Sequence, residues 1–260
     1  MGLLDSHCHL HHCAEDALVL LSRARQAGLS GIVQVGTDVA SARFGLELSR
    51  RAGLPIPVYP SAGLYPTRAA GPWREELPPL RELLAAGGIR AVGEAGLDRH
   101  HAAECFPEQV AMLRAQLELA CEFKLPIILH CRQAAAPLLE LIADFQGAGL
   151  RGVWHCFDGT QEEAALAIER GLHLSLSGLV TFKSAKALQE VSRGLPRERL
   201  LIETDSPYLS PVPLRGRPNE PAHVVHVRDF LAQLFGEDPA RLAETFAENT
   251  RALFGIPEEK

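Results

Sequence analysis

The sequence predicts an α/β fold, a (β/α)8 barrel of the TIM type. Eight short apolar or β-branched runs recur along the chain, and amphipathic stretches of helical length lie between them. That alternation specifies a parallel sheet, and eight strands are the number that closes one into a barrel. The length agrees: 260 residues fits one such barrel, which runs to about 250.

The first strand is expected over Leu3–Asp5, followed by a helix over Glu15–Ala27; the second, Gly31–Val35, leads into a helix over Asp38–Arg51. Strands three and four fall at Ile56–Ala62 and Ile89–Val92, and a helix over Glu108–Phe123 precedes strand five at Pro126–Leu129. Strands six, seven and eight (Gly152–Trp154, Leu172–Leu176, Leu200–Ile202) alternate with helices over Pro137–Phe145, Gln161–Arg170 and Lys183–Arg193. Pro207 to Pro221 reads as a loop at the barrel mouth, and helices over Pro221–Phe235 and Pro239–Phe254 cover the outside. The alternative is an open doubly wound sheet, but no GxGxxG follows the first strand to favour a dinucleotide fold. With no repeat, low-complexity tract or linker, residues 1–260 read as a single barrel domain.

Composition bounds the function. Hydrophobic residues make up 47% and charged residues 22%, ordinary for a globular chain. No apolar run reaches the roughly 18 residues of a membrane span, and the first strand begins too early for a signal peptide. Met1 to Ser6 fits the loose N-myristoylation pattern, but an interior strand is the reading adopted for it. Six cysteines without a CxxC pair read as free thiols in the cytoplasm. The net charge of −6 argues against clinging to long duplex DNA, which requires dense cationic contact with phosphates. A short phosphate-bearing substrate stays compatible, and no obligatory protein partner is indicated.

The chemistry collects at the expected C-terminal strand ends, where barrels of this kind build their sites. Strand one ends in Asp5-Ser6-His7-Cys8-His9, strand four in Gly93-Glu94, strand five in His130, strand six in His155 and strand eight in Asp205. Residues two apart on a strand share a face, so His7 and His9 enter the mouth together while Cys8 points to the helices. The same alternation is expected to turn Cys131 and Cys156 away from their histidines. Four histidines and two carboxylates can supply two adjacent cations with Glu94 bridging them. Imidazole and carboxylate suit Zn²⁺ or Mn²⁺, or Mg²⁺ where waters complete the shell. Many binuclear barrels use a carbamylated lysine as the bridge, but the chain has only four lysines and none at a strand-four end. Glu203, on one strand face with Asp205, reads as support for a metal ligand. His11, His12, His100, His101, His173, His223 and His226 fall outside the ligand blocks and are expected to be ordinary histidines.

These blocks resemble the TatD family of metal-dependent deoxyribonucleases, within the amidohydrolase-like barrels. The resemblance runs nearly end to end: Asp5 to Leu10, Gly93-Glu94-Ala95-Gly96-Leu97-Asp98, Leu125 to Arg132, His155-Cys156-Phe157-Asp158-Gly159, Glu203 to Leu209, and Arg215 to Pro221. It implies two divalent cations, with His7, His9 and Asp205 on one, His130 and His155 on the other, and Glu94 shared. It also implies a deoxyribonuclease or phosphodiesterase acting on single-stranded nucleic-acid ends. The alternative is a hydrolase of a small phosphodiester, ester, amide or lactone at the same site. Asp205 is expected to accept a proton from the attacking water as well as to ligate. Arg132, Arg215, Arg217 and Tyr65 are the candidate phosphate contacts. The family often carries Gly-x-His-Pro-His after strand three, where this chain has Gly63-Leu64-Tyr65-Pro66-Thr67. Arg99-His100-His101 and Asp158 also depart from its usual residues, and all of these fall on the substrate rim.

Overall fold

The computed structural model describes residues 2–257. Eight strands, β1 (Leu3–Cys8), β2 (Leu29–Gln34), β3 (Val58–Ala62), β4 (Ala91–Asp98), β5 (Ile127–Arg132), β6 (Gly152–Trp154), β7 (Leu172–Leu176) and β8 (Leu200–Ile202), pair in chain order. Every pairing is parallel. The last strand returns to the first through a bridge between Cys8 and Ser206 and the hydrogen bond from the Asp205 N–H to the His7 carbonyl, 2.9 Å. The result is a nearly closed (β/α)8 barrel.

Nine helices among the described residues surround it: α1 (Ala17–Gln26), α2 (Val39–Ser49), α3 (Trp73–Ala85), α4 (Phe106–Phe123), α5 (Ala135–Ala143), α6 (Gln161–Glu169), α7 (Lys186–Arg193), α8 (Val224–Phe235) and α9 (Pro239–Phe254). Several carry the cap that polar residues supply to unpaired N-terminal amides. Asp38 with Ser41 opens α2 and Thr160 with Glu163 opens α6, each as a reciprocal capping box. Helix α3 is the element without a clear sequence signal, because Pro78 and Pro79 sit inside it and proline ordinarily ends a helix. Burial of Trp73, Leu80, Leu83 and Leu84 carries it past them.

Strand alternation sorts the core into two layers. Ile127, Leu129 and Ile202 face the helices in the larger cluster. Ile128, Val153 and Leu201 occupy the opposite face, in a smaller cluster that also includes Phe254 and Ile256 from the chain's end. These three lie two positions before His130, His155 and Glu203, so the interior apolar layer is a floor directly beneath the mouth.

Strand β4 is longer than its apolar run. The sequence signal stops at Val92 because glycine follows, yet pairing with β5 resumes from Ala95 to Asp98 after a bulge. The bulge holds Gly93 and Glu94 and aims the carboxylate inward, as bulges beside active sites commonly do. Glycine is required at both ends of this segment. A Cβ on Gly96, at φ 155°, would lie 2.0 Å from the His130 carbonyl oxygen, and one on Gly93 2.7 Å from that of Ile128. Gly96→Ala should therefore lower stability by roughly 2–4 kcal/mol in urea unfolding. Gly147→Ala, where a Cβ meets nothing within 4 Å, should stay within about 0.5 kcal/mol. Equal midpoints for the two variants would remove this account of β4.

At the opposite end of the barrel, His173 opens β7 beside Arg199 and Arg151. Burial, with the two guanidiniums, lowers its pKa to about 4. The folded chain thus favours the neutral ring, while the unfolded chain protonates near the ordinary value of about 6.5. This contribution to stability is whole above pH 6.5 and is lost as pH falls toward 4. The loss should be on the order of 2 kcal/mol once partial solvation of the ring is allowed for. His173→Gln should lose less stability than the parent between pH 7 and pH 4 in urea titrations; identical losses would contradict this assignment.

Candidate metal centre at the barrel mouth

Six ionisable side chains predicted to meet at the mouth do meet there. His7 projects from β1, His9 follows it, Glu94 stands in the β4 bulge and His130 on β5, His155 follows β6 and Asp205 follows β8. Asp205, and Cys156 next to His155, sit on backbone that folds back on itself, with φ of 55° and 46°, a region that few residues other than glycine enter. Asp205 is nevertheless fixed, its N–H bonded to His7 and its carbonyl accepting the Tyr208 N–H at 2.8 Å. The turn at Cys156 also corrects the strand-alternation expectation. Cys8 does face the helix layer, its thiol bonded to the Val33 carbonyl. Cys156 lies beyond β6, borders the mouth cavity and contacts Ser177 Oγ at 3.2 Å, while Cys131 also touches that cavity.

The donor atoms fall into two sets. In the first, His7 Nε2 lies 3.0 Å from His9 Nε2, and each is 3.4–3.6 Å from Glu94 Oε2 and Asp205 Oδ1. A tetrahedron of nitrogen and oxygen ligands at zinc-like bond lengths of about 2.0–2.1 Å has edges of about 3.3–3.4 Å. Five edges of this set are therefore close to those around a cation. In the second, Glu94 Oε1 lies 2.8 Å from His155 Nε2 and 3.2 Å from His130 Nδ1, and the two nitrogens are 3.4 Å apart. This is a three-donor face with an open side, the form that leaves room for water or substrate. The two oxygens of Glu94 address the two sets separately.

Supporting contacts choose the nitrogen each ring presents. His9 Nδ1 donates to the Val35 carbonyl, 3.1 Å away, leaving Nε2 with its lone pair toward the site. His155 Nδ1 lies 3.2 Å from Glu203 Oε1, which also accepts the Cys156 N–H at 2.8 Å. Glu203, fully buried, thus orients His155. His7 is stacked on His155 with ring centres 3.9 Å apart, and its buried Nδ1 has no hydrogen-bond partner.

Burial alone would raise Glu94, but His155, His130 and His7 hold its carboxyl well below the usual range. The same bonds act in reverse on His155: burial disfavours its charge, and Glu94 and Glu203 raise it well above the ordinary histidine value. A buried cage of carboxylates that demands positive charge is what a cation satisfies.

Asp98 is the residue that sequence reasoning missed. It is fully buried, lies four positions from Glu94 on β4, and one oxygen, Oδ2, is 3.1 Å from His130 Nε2, 2.8 Å from His101 Nδ1 and 3.4 Å from Tyr65 OH. The other oxygen accepts the His100 and His101 N–H groups. Burial opposes its charge, but these bonds hold the carboxyl below its ordinary value. The available signal was a second carboxylate in the Gly93–Asp98 block. Asp5 is buried too, bonded to Thr204 Oγ1 at 2.6 Å, and burial raises its pKa to about 8. It braces β1 against the segment after β8.

Above the cage opens a cavity of about 610 Å³. Tyr65, Arg132, Asp158 and Tyr208 border it, with Arg68 and His101 added by the structure. Arg132 faces Asp158 at 3.8 Å. Arg215 and Arg217 lie outside this lining, and the Arg215 guanidinium packs on the Phe182 ring, 3.7 Å from its centre. The proline-rich loop therefore carries these arginines away from the cavity that the sequence placed them in. His12 borders the cavity and meets Tyr208 OH at 3.1 Å.

A barrel mouth that gathers imidazole and carboxylate donors over an apolar floor belongs to the metal-dependent hydrolases. Comparison with known proteins narrows the class: residues 4–255 match the model of the TatD related DNase family, and the chain belongs to that family. It is 34% identical over 256 residues to an uncharacterized metal-dependent hydrolase, YabD, of Bacillus subtilis, covering 98% of this chain and 99% of that one. It is 36% identical over 243 residues to the 3′-5′ ssDNA/RNA exonuclease TatD of Citrobacter koseri, covering 91% and 92%. The crystal structure of YJJV, a TatD homologue from Escherichia coli K12, superposes with a TM-score of 0.91 at 30% identity over 98% of each chain. No helix among the described residues is long and apolar enough to cross a membrane.

Proposed function

We propose that this hydrolase shortens single-stranded nucleic acid from its 3′ end, using two divalent cations held by the mouth. The observation that carries the reading is the division of Glu94, one oxygen facing His7 and His9 and the other facing His130 and His155. His7, His9, Asp205 and Glu94 would hold one cation, and His130, His155 and Glu94 the other. Zn²⁺ or Mn²⁺ suits this donor set, with Mg²⁺ the harder alternative. When bound, such ions polarise a phosphoryl oxygen and make water a stronger acid.

The protein's own groups supply the rest. Asp205, whose side chain is 14% exposed, borders the cavity and accepts the proton of the attacking water. Arg132 places a guanidinium on the rim, where its forked donors match a phosphate, whereas the fork of Arg68 is held by Glu76. Tyr65 OH stands 3.3 Å from His130 Nε2, beside the open donor face. Tyr208, half exposed at the rim, offers a ring for a terminal base to stack on. The action on ends and the polarity rest on the name borne by the Citrobacter koseri relative. The reduced cysteines fit a cytoplasmic setting, and the chain would act as one barrel unit.

Metal-stripped protein reloaded with Mn²⁺, Zn²⁺ or Mg²⁺ tests this on a 5′-labelled single-stranded oligonucleotide. A ladder of products shortened from the 3′ end, absent without metal and absent with His130→Ala, is the expected result. Intact oligonucleotide in the presence of metal-loaded protein would overturn the nuclease reading and move the same site to a small phosphodiester or acyl substrate.

A further inference from the structure

The Asp98 carboxylate has a histidine partner that ligand architecture does not explain. Its Oδ2 holds His130 Nε2 on one side and His101 Nδ1 on the other, at 3.1 and 2.8 Å. His101 is not part of the cage: its side chain is 60% exposed and borders the mouth cavity. A buried carboxylate that fixes Nδ1 of a histidine leaves Nε2 directed elsewhere, the arrangement by which acid–base histidines are oriented. The backbone reinforces it, since the His100 and His101 N–H groups clamp Asp98 Oδ1 at 2.8 and 2.7 Å. His100 meets the His101 ring edge-on at 4.6 Å.

We infer that His101 is a catalytic residue, the general acid that protonates the departing oxygen, with Asp98 as its positioning residue. This rests on the phosphodiesterase reading above. The balance is simple. A water oxygen bonds to phosphorus, and one of its protons passes to Asp205. The phosphorus–oxygen bond to the leaving alcohol breaks, its electron pair stays on that oxygen, and the oxygen takes the proton from His101 Nε2. Solvent then removes the proton from Asp205 and returns one to His101, leaving a phosphate monoester and an alcohol. One carboxylate thereby ties a ring of the cage to the ring that completes the displacement.

The test is a series of methyl phosphodiesters with leaving groups from 4-nitrophenol through phenol to a simple alcohol, hydrolysed by metal-loaded wild type and His101→Gln. A general acid matters most when the leaving oxygen is basic. The variant should lose about 10²-fold or more on the alcohol and progressively less toward nitrophenol, so its rates depend more steeply on leaving-group acidity. Added imidazole should restore part of the lost rate in His101→Gly, because the ring is open to solvent. Independently of turnover, nitrogen-15 spectra of the metal-free protein should show the neutral His101 ring protonated at Nδ1, and Asp98→Ala should abolish that preference. A uniform loss across the series, or none, would overturn the assignment, as would a ring protonated at Nε2 in the wild type. An oligonucleotide left intact while the aryl diesters turn over would instead sink the nuclease reading and leave His101 to be judged on the series. Failure of the wild type on every diester would overturn both.

Discussion

Glu94→Gln should abolish turnover, lowering kcat/KM by on the order of 10³-fold or more. The amide keeps the shape of the carboxylate but offers one acceptor oxygen and turns an NH2 toward one donor set. It also removes the charge to which three histidines are tuned. Bound cations contribute several kcal/mol of transition-state stabilisation, and each 1.36 kcal/mol lost is tenfold in rate. Tight metal content should fall from two equivalents to at most one. A variant that kept two cations and most of its rate would show that Glu94 is not the shared ligand, whatever the distances suggest.

Asp205→Asn has the second largest expected effect, and a different signature. Its backbone is pinned by hydrogen bonds at N–H and carbonyl, and asparagine tolerates its positive φ as well as aspartate does. The fold should therefore survive. What is lost is the proposed acceptor of the water proton, so kcat should fall by roughly 10²–10⁴-fold while KM moves much less. Metal content measured on the same preparation separates the roles. Near-normal turnover with both cations bound would refute Asp205 as the base.

Much of this site was legible in the sequence because strand periodicity and barrel topology act together. His7 and His9 are two apart, so one face receives both, and strand ends of a barrel converge whatever lies between them. Glu94 was legible as a residue but not as geometry. Its strand looked finished at Val92, since nothing local shows that Gly93 and Gly96 permit pairing with β5 to continue. Asp98 was hidden by the same misjudged boundary, for a carboxylate beyond a strand end has no assigned face. His101 reads as ordinary in the sequence because its bond to Asp98 and its place on the cavity wall exist only in the folded chain. Arg215 and Arg217 show the opposite error: a loop rich in proline and arginine suggested phosphate contact, but chain direction after β8 is set by packing, and Arg215 rests on Phe182. Helix α3 was obscured because two prolines outweighed its apolar stripe in any local reading.

The central claim is that one carboxylate is shared by two cations, and calorimetric titration of metal-stripped protein with Zn²⁺ or Mn²⁺ tests it most directly. The wild type should take up two equivalents, and His155→Ala should retain one, at the set built from His7, His9 and Asp205. A single equivalent in the wild type, or two in the variant, would contradict the shared site.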